Sequence, residues 1–152
     1  MEEIISKISV MAEWYKHNSR KAGIDKLLSV KDSLVTYNYN LAELLSEHKK
    51  QYNFAYYIRK ISITKSRNAY VNQGHASNKA ESISTEEHAE KLEQELELEH
   101  ITVRLELLSK ATRDIIRAIE QRVSYLKQEK INDYNFDNIL KEINTIKKHI
   151  NI

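Results

Sequence analysis

The chain has 152 residues, 41% of them hydrophobic and 30% charged, with two Gly, no Pro and no Cys. That length fits one domain, and the near absence of turn residues excludes a loop-rich, disulfide-stapled or all-β design. No apolar run approaches the ~18 residues that cross a bilayer, the first ten residues read neither as a basic nor as an apolar leader, and the expected location is the cytoplasm.

A net charge of +2 hides an uneven distribution. Residues 1–80 carry 13 Lys/Arg against 7 Asp/Glu, residues 81–100 carry 1 against 8, and residues 101–152 carry 10 against 7, so the three blocks hold +6, −7 and +3. From His48 to Ala80 no acid occurs, while Lys49, Lys50, Arg59, Lys60, Lys65, Arg67 and Lys79 are basic. Such asymmetry bears on partners more than on fold.

Apolar residues recurring at steps of three and four predict four amphipathic segments. In the first, residues 1–22, Ile4, Ile8, Met11 and Tyr15 form one stripe, which runs out in the polar stretch from His17 to Lys21. Gly23 then suits a left-handed helix end, and Asp25 suits an N-cap. Residues 25–70 place Leu27, Leu34, Leu41, Leu45, His48, Tyr52 and Ala55 on one seam with no Gly or Pro between, so a single long helix is expected. Its weak point is Ile61 to Thr64, where alternating Ile and hydroxyl residues also suit an extended stretch. Asn72-Gln-Gly-His75 is a turn signal, and Ser84-Thr-Glu-Glu87 reads as a capping box that starts the next helix by Thr85.

Residues 85–130 repeat Leu98, Ile101, Leu105, Leu108, Thr112, Ile115, Ile119, Arg122 and Leu126 in coiled-coil spacing. Leu92, Leu96, Val103, Leu107, Ala111 and Ala118 widen that surface beyond what one partner helix covers. After Asn132-Asp133 a separate helix, 134–151, is expected to present Phe136, Ile139, Leu140, Ile143, Ile146 and Ile150 as an oligomer interface. The expected fold is therefore all-α: a long antiparallel helical hairpin, a short amphipathic helix at each terminus, and assembly into a homo-oligomer.

Chemistry-bearing residues are few. Tyr52, Phe54, Tyr56, Tyr57 and Tyr70 interleave with the basic residues of the acid-free tract, a composition that single-stranded nucleic acid uses, since cations follow phosphates and aromatic faces stack on bases. The plainer alternative puts Tyr52 and Tyr56 in the core and makes the lysines an ordinary solvated face. The acidic block Glu81–Glu99 either neutralises those lysines, within the subunit or across to the next, or is itself a solvated face. Glu97-Leu-Glu-His100 is half of a di-iron ligand pattern with no second copy, and the six His show no i, i+4 pair, so no metal and no cofactor are expected. His48 reads as a core or interface histidine, and Arg122 as the partner of Asp114 or Glu120 in a structural ion pair. Without a Cys nucleophile, a nucleophile elbow or a phosphate-cradling glycine loop, an enzyme is not expected.

Lys65-Ser-Arg-Asn-Ala-Tyr70 before a Gly-containing turn, with Ile115-Ile-Arg-Ala-Ile119 and Arg122-Val-Ser-Tyr125 beyond it, resembles the UvsY-type recombination mediators of tailed phages over roughly residues 25–130. The resemblance implies an oligomer in a bacterial host cell that binds single-stranded DNA, helps load a RecA-like recombinase and helps displace the single-strand-binding protein. It implies DNA contacts at Lys60, Lys65 and Arg67, and the dense acidic run is a departure from the family pattern. Together, the expected nucleic-acid-binding set is Lys49, Lys50, Tyr57, Arg59, Lys60, Lys65, Arg67 and Tyr70. A second reading makes the chain a structural or adaptor coiled-coil protein, a virion or assembly component that binds a protein partner and uses its charge blocks to set register.

Overall fold

The computed structural model describes residues 1–150, and their side chains except at 142 and 144–150. Among the described residues every regular element is a helix: α1 (Glu2–Asn18), α2 (Ile24–Asn72), α3 (Ser77–Glu87) and α4 (Ala89–Ile150). No helix among them is long and apolar enough to cross a membrane. Contacts divide the chain into two compact units that share α2 and α4. A turn unit comprises Met1 and Tyr39–Ala111, and a terminal unit comprises Glu2–Asn38 with the chain from Thr112 onward.

In the terminal unit, α1 buries Ile8, the first turns of α2 bury Leu27, Val30 and Leu34, and α4 buries Ile119 and Val123. Ile8, Leu27, Leu34 and Ile119 are seam positions that the periodicity marks, and Val30 and Val123 join them one step away. Between α1 and α2 the Asn18 amide donates to the Trp14 carbonyl at 2.9 Å and closes the first helix. Gly23 does not take the expected left-handed conformation. Its carbonyl instead accepts the Leu27 N–H at 3.1 Å, so Gly23 occupies the N-cap and Asp25 lies inside the first turn, where its charge suits the helix dipole.

Helix α2 crosses Ile61–Thr64 without a break. The Thr64 hydroxyl donates to the Lys60 carbonyl at 2.9 Å, which satisfies a β-branched polar residue inside a helix. The turn that follows centres on Gly74 at φ 91°, a left-handed backbone that costs a glycine little. Gly74 donates to the Val71 carbonyl at 2.9 Å and His75 to the Tyr70 carbonyl at 3.1 Å.

Two boundaries differ from expectation. Ser84 does not cap a helix; it is wholly buried inside α3, and its hydroxyl donates to the Ala80 carbonyl at 2.7 Å. Burial of Ala80 and Ser84 carries the helix back to Ser77, and the break falls at His88 instead. Nor does a separate helix begin after Asn132-Asp133, because α4 runs through it as far as Ile150. No Gly or Pro is present to stop it, and the Gln128 amide bonds the Asn132 side chain at 3.2 Å one turn on. Of the expected interface residues on this stretch, Phe136, Ile139, Leu140 and Ile143 are 41–61% exposed. Ile146 and Ile150 have side chains outside the described residues.

Arg122 also departs from its expected pairing. Asp114 pairs with Arg117 at 3.8 Å and Glu120 with Lys31 at 3.8 Å, while Arg122 donates to the Arg20 carbonyl at 3.2 Å and covers the Tyr125 ring. Residues two apart point to opposite sides of a helix, so Glu120 cannot reach Arg122.

Ile119→Ala should destabilise the protein by about 2–5 kcal/mol, whereas Ile131→Ala, at a position 54% exposed, should stay within about 0.5 kcal/mol. Denaturant titration followed by helical circular dichroism measures both.

Candidate nucleic-acid interface

In the turn unit the basic part of α2 lies beside the acidic part of α4. Arg59 meets Glu95 in a two-pronged ion pair, Nε to Oε2 at 2.5 Å and Nη2 to Oε1 at 3.1 Å, and Lys49 meets Glu106 at 2.6 Å. As the α2 number rises the α4 number falls, so the two segments run antiparallel here. Near the turn, Ser66 donates to Glu87, and Lys91 of α4 donates to Ser62 at 2.7 Å. Glu95 is 6% exposed, and its carboxylate holds the Arg59 guanidinium above its ordinary pKa. Beside the pair, burial raises the Tyr52 phenol, with Glu99 and Glu95 adding to the shift.

With 3.6 residues per turn, this contact sorts the expected binding residues onto three sides of α2. Arg59 faces α4 and is consumed by Glu95. Tyr70 is half-buried at a seam position, edge-on to His75 with ring centroids 5.6 Å apart. His48 also sits on the seam, as expected, but its buried Nδ1 makes no hydrogen bond among the described residues.

One flank gathers Lys49, Tyr56, Lys60 and Arg67 at steps of seven, four and seven. Lys60 lies over the Tyr56 ring, 5.8 Å from its centroid, and Arg67 donates to the Ser77 hydroxyl at 2.8 Å. The opposite flank, Gln51, Ala55, Ser62 and Ala69, carries no charge.

Lys50, Tyr57 and Lys65 belong to a third side, turned away from α4. They share it with Phe54, Ile58 and Ile61, and the apolar members are 39–67% exposed. Lys50, Lys60 and Lys65 form no ion pair among the described residues. The exposed apolar stripe escaped sequence reading because periodicity marks which residues are apolar, not which of two stripes the neighbouring helix covers. Four apolar residues at i, i+3, i+4 and i+7 were the available signal.

Among the described residues no group of three His, Asp or Glu is placed to hold a metal ion. Comparison with protein-family models, curated proteins and solved structures finds no match for this chain.

Glu95→Ala should cost about 2 kcal/mol, between the values for exposed and buried pairs, because it strands the half-buried Arg59 cation. Arg59→Met combined with Glu95→Leu should recover most of that loss in the same denaturant titration.

Proposed function

We propose that this protein is a non-catalytic accessory factor of homologous recombination that binds single-stranded DNA through the cationic flank of α2. Lys49, Lys60 and Arg67 line one side of a single helix, with the Tyr56 ring among them. Lys60 to Arg67 spans seven residues, roughly 10 Å of axis, which suits successive backbone phosphates. The observation that supports this most is that Lys60 forms no ion pair among the described residues although an acidic helix lies alongside. An ordinary solvated face gains pairs by mixing signs along the helix; this flank carries no acid of its own, and among the described residues Lys49 alone of its cations pairs with an acid of α4. By the UvsY-type resemblance, the protein works as a homo-oligomer of helical hairpins in a bacterial host, helping a RecA-like recombinase replace the single-strand-binding protein.

The adaptor reading has one specific observation in its favour: Arg59 and Lys49 are both neutralised inside the chain by Glu95 and Glu106. A purely structural protein pairs its charge blocks in this way and needs no polyanion.

Lys60→Ala combined with Arg67→Ala separates the two. Fluorescence anisotropy of a labelled single-stranded oligonucleotide should show weaker binding for every sequence. The slope of log affinity against log salt should fall by about 1.4, the contribution of two single-strand phosphates. Affinity unchanged by the double substitution would remove the flank from the DNA path.

A further inference from the structure

In the terminal unit, the turn between α1 and α2 and the face of α4 beside it enclose a groove of about 260 Å³. Four cations line it: Arg20 and Lys21 from the turn, Arg122 and Lys130 from α4. None of the four forms an ion pair among the described residues. The Arg122 guanidinium has one acceptor there, the Arg20 carbonyl at 3.2 Å, and its buried Nε has none. A guanidinium is a planar fork of donors, and a buried donor left unmet costs free energy until an acceptor arrives.

Two carboxylates share the lining, Glu129 and Asp133. Glu129 accepts the Tyr125 hydroxyl one turn earlier on α4, so its charge is already engaged. Four cations against two carboxylates still leave the groove positive. Charges just beyond the lining cancel, Asp25 against Lys26 on α2 and Lys127 against Asp137 on α4. Gly23 and Ile24 bring the start of α2 to the same groove, where the first backbone N–H groups of a helix lack acceptors within it and its dipole is positive.

Cations from two elements, an arginine with unmet donors and the positive end of a 49-residue helix thus converge on one recess. A tetrahedral oxyanion suits this better than a carboxylate, because it offers acceptors on several sides at once where a carboxylate offers them in one plane. The recess is also larger than a phosphate alone, which leaves room for the group that bears it. We infer that the terminal unit holds a binding site for a phosphate group, free or as the monoester of a small molecule, with Arg20, Lys21, Arg122 and Lys130 as its cations. The site shares no residue with the cationic flank of α2 and does not depend on the nucleic-acid reading.

Isothermal titration calorimetry of the full chain at constant ionic strength tests it, with inorganic phosphate, deoxyadenosine 5′-monophosphate, deoxyadenosine and acetate as probes. The two phosphates should each saturate one site, and deoxyadenosine and acetate should give no saturable heat. Arg20→Gln with Lys130→Gln, both at exposed positions, should weaken phosphate binding about tenfold or more, as loss of two charge-assisted bonds implies. Lys79→Gln with Lys110→Gln, exposed and in the turn unit, removes the same charge and should leave phosphate affinity unchanged. Arg122→Lys keeps the charge but loses the fork and should also weaken binding, whereas Asp133→Asn should tighten it. Helical circular dichroism checks that each variant folds. A monophosphate that binds more tightly than inorganic phosphate marks an ester as the ligand and equal affinities mark the free anion; either result supports the site. The proposal is overturned if neither phosphate saturates by about 10 mM, if acetate or deoxyadenosine binds as tightly, or if the two double variants bind phosphate alike.

Discussion

The Arg59–Glu95 pair sets the rotational phase of α2 in the turn unit. A helix has one azimuth, and a planar guanidinium held at two points by a largely buried carboxylate fixes it more closely than leucine packing alone, which tolerates small rotations. Once Arg59 faces α4, the 3.6-residue repeat decides where every other side chain of the segment lies. Lys49, Lys60 and Arg67 fall on one flank, and Lys50, Phe54, Tyr57, Ile61 and Lys65 fall opposite the contact.

That phase also divides the charge. A tract that reads as seven equal cations becomes one sealed arginine, one lysine held by an exposed glutamate, and others that meet no acid among the described residues. Electrostatic attraction for a polyanion comes from the unpaired group, because a cation already neutralised inside the chain releases no counterion from DNA. The acidic part of α4 thus leaves Lys60 and Arg67 on one flank of α2 and Lys50 and Lys65 on the side opposite the contact. One helix contact thus places the cations of α2 and its exposed apolar residues on different sides of the helix.

Much of this fold is legible in the sequence, and the failures have physical causes. The 50 residues between Gly23 and Gly74 hold no Gly or Pro and favour one helix, and α2 extends the expected 25–70 by only a residue or two at each end. Ser84-Thr-Glu-Glu87 misleads because a capping box is a local signal, and burial of Ser84 against its own helix overrides it. Asn132-Asp133 misleads for the converse reason: both residues favour caps and turns, yet neither stops a helix that a side-chain bond spans. At the candidate site, composition reveals the cations and the aromatics. It does not reveal that Glu95, 36 residues on, selects Arg59 out of the set, because pairing across two helices depends on their phase and not on spacing within either.

The central claim is that the flank of α2 is the polyanion surface and that α4 limits it by neutralising Lys49. Glu106→Gln tests this directly, because it frees Lys49 at an exposed position and leaves the seam untouched. Glu13→Gln in the terminal unit serves as a control with the same change in net charge. Anisotropy titrations across a salt series should show tighter single-strand binding for the Glu106 variant than for the control, with a slope steeper by about 0.7, the contribution of one added phosphate contact. Equal affinities for the two variants, or no gain over the wild type, would contradict the account.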